Sequence, residues 1–169
     1  MLQVYTGNGK GKTTAAFGQA LRACGHGWRV IIIQFMKGDP GYGEVKAAKQ
    51  VKNLEVRQFG LPTFVEKGNP SDEDLAEAQK GLAAAREAIS SGRYRMVVLD
   101  EINVAVDYGL VSLEQAMGLI DACPKEIELV FTGRGAKPEV VARADLASEI
   151  LEIKHPMQKG LVNRVGVDR

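Results

Sequence analysis

Residues 6–14, which read TGNGKGKTT, have the composition of a loop that binds phosphate. Glycines let backbone amides approach phosphate oxygens because no Cβ stands in the way. A lysine after the last glycine can bridge two phosphates, and the hydroxyl of a following threonine can ligate a divalent ion. The pattern therefore predicts a phosphate-binding loop in which Lys12 and Thr13 have these two roles.

One position of this loop departs from the usual pattern. Thr6 stands where that pattern has glycine, five positions before Gly11. The alternative interpretation is a glycine-rich turn between a strand and a helix that binds no ligand. Two lysines separated by one glycine are a poor choice for a purely structural turn, so phosphate binding is favoured.

Residues 96–101, MVVLDE, form a second candidate element, an apolar strand that ends in two acids. Asp100 could hold an ion through water or orient Thr13, and Glu101 could ligate the ion directly. Many strands end in acidic residues before a loop, which is the alternative interpretation. Together with a phosphate-binding loop, the strand favours a site for a nucleotide and a divalent ion.

Two further stretches place a cation after an apolar run. Residues 130–135, VFTGRG, set Arg134 between two glycines, where it could bind a phosphate in bidentate fashion or lie in a tight surface turn. Residues 34–38, QFMKG, place Lys37 at the end of another predicted strand. Neither His26 nor His155 has a Cys, His or Asp cluster at metal-ligand spacing, so no zinc site is expected.

Short apolar runs alternate with helical patterns along the chain. The predicted strands lie at 3–6, 29–35, 55–59, 96–100, 128–132 and 149–153. Helices are predicted at 12–23, 71–90, after the capping-box pattern that begins at Ser112, and at 138–143. The glycines of 38–43 indicate a loop that could gate the site. This alternation predicts one α/β domain over 1–169, a doubly wound, mainly parallel sheet of about six strands with P-loop NTPase (RecA-like) architecture.

Composition excludes several classes of protein. The 169 residues are 45% hydrophobic with a net charge of +1, which argues against disorder and against a nucleic-acid partner. Two cysteines are too few for a disulfide framework. Because neither a signal peptide nor a membrane-spanning run is visible, a cytoplasmic location without membrane contact is expected.

The residues alone leave the use of the nucleotide open. Hydrolysis needs a residue that orients water, and Glu101 could do this, whereas phosphoryl transfer needs an acceptor site. A P-loop ATPase, a small-molecule kinase and a nucleotide-dependent binding module all remain possible.

Beyond these single motifs, the sequence resembles a known family over nearly its whole length. The motifs that carry the resemblance are GNGKGKTTAAFG (7–18), RACGHG (22–27), QFMKG (34–38), VVLDE (97–101), TGRG (132–135), and KHP (154–156) followed by Gly160 and GVD (166–168). They are similar, in the same order, to the ATP:corrinoid adenosyltransferases of the P-loop (CobA) type.

The resemblance implies a different use of ATP. The family transfers the 5′-deoxyadenosyl group of ATP to the reduced Co(I) of a corrinoid and releases triphosphate. ATP lies in the loop in the reverse sense compared with hydrolases, which exposes C5′. The resemblance further implies Mg²⁺ or Mn²⁺ as cofactor, an electron-donating flavoprotein as reductant, and a homodimer.

The same resemblance assigns roles to residues. Lys12, Glu101 and Arg134 would be catalytic, and Thr13 with Glu101 would hold the metal ion. Arg22 would contact the nucleoside and Phe64 the corrinoid, although Pro62 stands where a second aromatic residue is expected. The residues expected to bind the triphosphate are Gly7, Asn8, Gly9, Lys10, Gly11, Lys12, Thr13 and Thr14.

Overall fold

We describe the protein from a computed structural model, which covers residues 1–160 and 164–168. The strands are β1 (Leu2–Thr6), β2 (Val30–Phe35), β3 (Leu54–Phe59), β4 (Met96–Asp100), β5 (Glu128–Thr132) and β6 (Leu146–Glu149). The helices are α1 (Lys12–Gly25), α2 (Gly43–Ala48), α3 (Asp72–Ser90), α4 (Ile102–Asp107), α5 (Leu113–Ala122) and α6 (Pro138–Arg143), with a 3₁₀ helix at Pro156–Lys159.

The six strands form one parallel sheet in the order β3-β2-β4-β5-β1-β6. This is the α/β architecture that the alternating pattern predicted. Because all strands are parallel, their carboxyl ends lie at one edge of the sheet, where ligands bind in such folds. The loops that follow β1, β2, β4 and β5 therefore meet there.

Alternate residues of each central strand pack against helices on opposite faces of the sheet, as the two-residue period of a strand requires. On one face, Val30 and Ile32 of β2 lie in a core with Ala16 and Ala20 of α1. On the other face, the next residues of each strand pack against α3 and α5 in the larger core. Strands covered on both faces explain the nearly continuous apolar runs in the sequence.

Helix starts are set by side chains that satisfy the free amides of the first turn. In α5, the Ser112 hydroxyl accepts from the Gln115 amide over 3.1 Å, and the Gln115 side chain accepts from the Ser112 amide over 2.9 Å. This capping box was predicted from the sequence and is confirmed. Ser71 and Asp74 form the same reciprocal pair at the start of α3.

The predicted position of the last strand is wrong. It was expected at 149–153, but β6 is Leu146–Glu149 and pairs residue by residue with β1, from Gln3 opposite Leu146 to Thr6 opposite Glu149. The prediction was based on the apolar residues of 150–153, but these residues follow β6 and pass beneath the loop after β1. The position of β6 is therefore set by its pairing with β1 and not by the local hydrophobicity of the sequence.

Two short helices, α2 and α4, were missed by the sequence analysis. Each has six residues, too few for a clear helical period. Helix α2 begins at Gly43, within the stretch 38–43 that was expected to be a loop. In the part of the chain described, no helix combines the length and apolar character needed to cross a bilayer.

Candidate active site

Residues 7–11 connect β1 to α1, and we call them the glycine-rich loop. Its underside rests on the segment after β6, where the Gly9 amide donates to the Ile150 carbonyl over 2.7 Å. A Cβ built on Gly9 would lie 2.6 Å from the carbonyl oxygen of Leu151, so the approach requires glycine. The glycine-rich loop is thus held against the chain that leaves the last strand.

Lys12 begins α1 directly after the glycine-rich loop and is only 7% exposed. Its Nζ donates to the carbonyl oxygen of Gly9 over 2.5 Å, which turns the ammonium toward the loop. Burial lowers the pKa of Lys12, and the nearby Glu101 carboxylate opposes this shift. An ammonium has three donors, so a buried lysine in this position is suited to receive an anion.

Asp100, at the end of β4, is fully buried and accepts hydrogen bonds from four side chains. The donors are Thr13 Oγ1 at 2.9 Å, Thr132 Oγ1 at 2.7 Å, Gln34 Nε2 at 2.9 Å and Lys37 Nζ at 2.7 Å. Burial acts to raise the pKa of Asp100, but the Lys37 ammonium and the hydrogen bonds outweigh it and lower the pKa. Asp100 is therefore the ionised centre that joins β2, β4, β5 and α1.

Glu101 is held next to this centre by an unusual backbone conformation. Its φ of 63° lies in the left-handed region, and its amide donates to Thr132 Oγ1 over 2.9 Å. Burial and the charge of Asp100 raise the pKa of the Glu101 carboxyl, against the effects of Lys37 and Lys12. A left-handed residue held by its own amide at a strand end is typical of a functional site.

Arg134 follows β5 and projects from a tight turn. The preceding Gly133 has φ 125°, and a Cβ there would lie 3.0 Å from the Val104 amide nitrogen, so glycine is required for α4 to pack so closely. Asn103 supports the turn through its Nδ2, which donates to the Gly133 carbonyl over 3.4 Å. The exposed side chain of Arg134 reaches the same cleft as Lys12.

These elements surround one cleft of about 690 Å³ at the carboxyl edge of the sheet. The predicted site residues that line it are Gly9, Lys10, Gly11, Lys12, Thr13, Thr14, Glu101 and Arg134. Gly7 and Asn8 belong to the glycine-rich loop but not to the wall of the cleft. The volume is in the range of small-molecule and cofactor sites.

Two predicted site residues lie elsewhere. Arg22 is on the exposed side of α1, ten residues after Lys12, and its guanidinium donates to Gln19 Oε1 over 3.3 Å. Phe64 lies in the loop after β3 with its ring fully exposed. Neither side chain is part of the wall of the cleft described above.

The cleft also contains residues that reasoning from the sequence did not assign to it. One wall is formed by the segment after β6, with His155, Pro156 and Met157, and by Arg164 and Asp168. The carboxylate of Asp168 lies 2.9 Å from Lys10 Nζ and 3.0 Å from Arg164 Nε. The only signal for these residues was the similarity of the tail to the family pattern, which carried no role. Tyr42, Glu44 and Tyr108 also line the cleft.

The oxygen donors near Asp100 suit a hard divalent ion, since Mg²⁺ and Mn²⁺ prefer carboxylates, hydroxyls and water. Thr13 Oγ1, Asp100 and Glu101 converge at the mouth of the glycine-rich loop. Among residues 1–160 and 164–168, no three His, Cys, Asp or Glu side chains are close enough to hold a metal ion by themselves. The donor set therefore fits an ion that phosphate oxygens and water complete.

Comparison with known proteins gives a consistent result. Residues 1–168 match the family described as "ATP:corrinoid adenosyltransferase BtuR/CobO/CobP". The corrinoid adenosyltransferase of Pseudomonas aeruginosa is 33% identical over 168 residues, which cover 99% of this chain and 83% of that protein. Those of Escherichia coli and Salmonella typhimurium are each 34% identical over 165 residues, which cover 98% of this chain and 83% of each relative.

A match over almost all of the chain, relatives above 30% identity and the predicted parallel sheet of six strands agree with one another. The motifs at 7–18, 34–38, 97–101 and 132–135 meet at the carboxyl edge of the sheet, whereas the motif at 22–27 lies at the other end of α1. The chain belongs to the ATP:corrinoid adenosyltransferase family.

Proposed function

We propose that this protein transfers the 5′-deoxyadenosyl group of ATP to the reduced cobalt of a corrinoid. The Co(I) electron pair attacks the ribose C5′ and forms a cobalt–carbon bond, and cobalt becomes Co(III). The C5′–O5′ bond breaks, and its electron pair leaves with O5′ on triphosphate. The observation that carries the proposal is the cleft itself, which brings Lys12, Thr13 and Arg134 together in a chain of this family.

The chemistry of the cleft supports this reaction. A Co(I) nucleophile carries its own electron pair and needs no general base, but the departing triphosphate needs its charge stabilised. Lys12 and the amides of the glycine-rich loop would bind the triphosphate as a P-loop does, and Arg134 would add a second cation. For this to happen, the triphosphate must lie in the loop and C5′ must face the open cleft.

A divalent ion, Mg²⁺ or Mn²⁺, is part of the proposal. Thr13 and Glu101 would hold it, with Asp100 orienting the Thr13 hydroxyl across 2.9 Å. Bound there, the ion would neutralise charge on the triphosphate. The oxygen donors described above support this assignment.

Two partners and a location complete the proposal. Co(I) requires an electron donor, for which the family resemblance favours a flavoprotein, and the reducing cytoplasm is the fitting compartment. A homodimer is supported by β6, an edge strand whose four residues are all exposed, with Leu146 42% exposed. The protein would function as one domain in each copy.

The direct test uses the wild-type protein with ATP, Mg²⁺ and chemically reduced cobalamin. We expect a light-sensitive cobalt–carbon bond in the corrinoid spectrum, with release of one triphosphate for each bond formed. Omission of ATP or of the reductant is the control and should abolish the spectral change. Production of ADP without corrinoid would instead indicate an ATPase or a kinase and would contradict the proposal.

Replacing Phe64 by alanine tests the corrinoid side of the site. An exposed aromatic ring offers a large apolar face to a planar ligand, so we expect the KM for corrinoid to rise by about tenfold while ATP affinity is unchanged. Steady-state kinetics with each substrate varied gives both values. Leu21→Ala, another exposed apolar residue, is the matched control and should leave both unchanged. A loss confined to ATP binding would refute the role of Phe64.

A further inference from the structure

Lys37 is a cation that the proposed reaction does not use. It follows β2 at the carboxyl edge of the sheet, and its side chain is 19% exposed. Its ammonium donates to Asp100 Oδ2 over 2.7 Å and to Thr13 Oγ1 over 3.2 Å, and lies 4.0 Å from Glu101 Oε1. One positive group is thus in reach of three oxygen donors at once.

These three donors are the ones assigned above to the divalent ion and its support. An ammonium that contacts all of them occupies the region where a positive charge is most stabilised. A second cation entering there meets the repulsion of Lys37 and finds both carboxylates partly neutralised. The negative charge of a bound triphosphate offsets this repulsion, because Lys37 also lines the cleft.

We propose that Lys37 is a positioning residue that holds the metal donors in place in the nucleotide-free protein and excludes a free divalent ion until nucleotide arrives. The inference rests on the proposed function for the identity of the donors. Its consequence is an order of binding in which the ion enters with the nucleotide. Lys37 then exchanges its contact with Asp100 for one with phosphate.

The test measures Mn²⁺ binding to the full chain without nucleotide, by the loss of the free Mn²⁺ signal in electron paramagnetic resonance. Lys37→Gln keeps a hydrogen-bond donor but removes the charge, and we expect Mn²⁺ to bind at least about tenfold more tightly than to the wild type. Lys37→Arg keeps the charge and should remain at the wild-type value. Lys137→Gln is the matched control, because Lys137 also pairs with a carboxylate, Asp107 at 2.9 Å, but lies outside the cleft wall.

A second measurement keeps the test valid if the variant is less stable, since Lys37→Gln removes the charged partner of buried Asp100. Thermal unfolding with increasing Mn²⁺ should raise the melting temperature of Lys37→Gln more than that of the wild type, because the ion supplies the missing charge. If the variant folds poorly, Mn²⁺ should restore its folding. Equal Mn²⁺ affinity in Lys37→Gln and wild type, or no selective gain in stability, overturns the proposal.

Failure of this inference is distinguishable from failure of the proposed function. Neither Mn²⁺ measurement involves corrinoid, whereas the adenosyl transfer assay uses the wild-type protein alone. A wild-type protein that makes the cobalt–carbon bond, together with an unchanged Mn²⁺ affinity in Lys37→Gln, overturns only the role of Lys37. If the wild-type protein fails to alkylate corrinoid but Lys37→Gln still binds Mn²⁺ more tightly than the wild type, the proposed function is overturned and the role of Lys37 at the ion site is retained.

Discussion

Replacing Lys12 by alanine is expected to lower turnover by at least about 10²–10³-fold, the usual cost of removing one preorganised group that stabilises a leaving charge. Lys12 is nearly buried at the start of α1, and its ammonium already points into the glycine-rich loop. In the proposed reaction, its charge would lie where the departing triphosphate develops its extra negative charge. Rates of cobalt–carbon bond formation at saturating ATP give the effect on kcat.

The control for this variant is Lys80→Ala. The Lys80 ammonium lies 2.6 Å from Glu77 on the exposed side of α3, and Lys80 is not part of the cleft wall. We expect its turnover to match the wild type. If Lys12→Ala retained turnover within about twofold of the wild type, the site would have to lie elsewhere.

Replacing Asp100 by alanine is expected to destabilise the protein by about 3–5 kcal/mol, the cost of removing one partner of a buried ion pair. Asp100 accepts from four side chains, and its loss leaves the mostly buried Lys37 ammonium without its nearest counter-charge. The hydroxyls of Thr13 and Thr132 lose their acceptor as well. Urea unfolding of variant and wild type gives the difference in free energy of unfolding.

Asp107→Ala provides the matched comparison for Asp100. Asp107 has two lysine partners, Lys67 and Lys137, but near the surface, where ion pairs contribute little to stability. The double variant Asp100→Ala/Lys37→Met removes both buried charges and should recover part of the lost stability. A loss below about 1 kcal/mol in Asp100→Ala alone would contradict the central role given to this carboxylate.

Much of the fold and of the cleft was predictable, because the local sequence patterns favour the same helices and strands that the folded structure contains. The run 96–99 is apolar throughout, and with Asp100 it forms a strand buried on both faces. Parallel pairing then brings its terminal Asp100 beside the helix that carries Thr13, so two motifs far apart in sequence were expected to meet, and they do. The start of α5 followed from Ser112 and Gln115 alone.

Other features depended on tertiary structure. The apolar residues of 150–153 resemble a strand, but β1 has no further residues to pair with them. The contacts of Lys37 require β2 to lie beside β4, and strand order is not encoded in any single segment. Lys10 and Asp168 come from opposite parts of the chain, so their ion pair has no local signal.

The contact between Gly9 and Ile150 has a consequence for how the protein folds. The underside of the glycine-rich loop is supported by the segment that follows β6, so the cleft depends on contacts of high sequence separation. Such contacts carry the entropy of closing a long loop, which makes them late events in folding. A chain emerging during synthesis would therefore acquire affinity for triphosphate at the end of folding, and ATP would select the finished fold rather than guide its earlier steps.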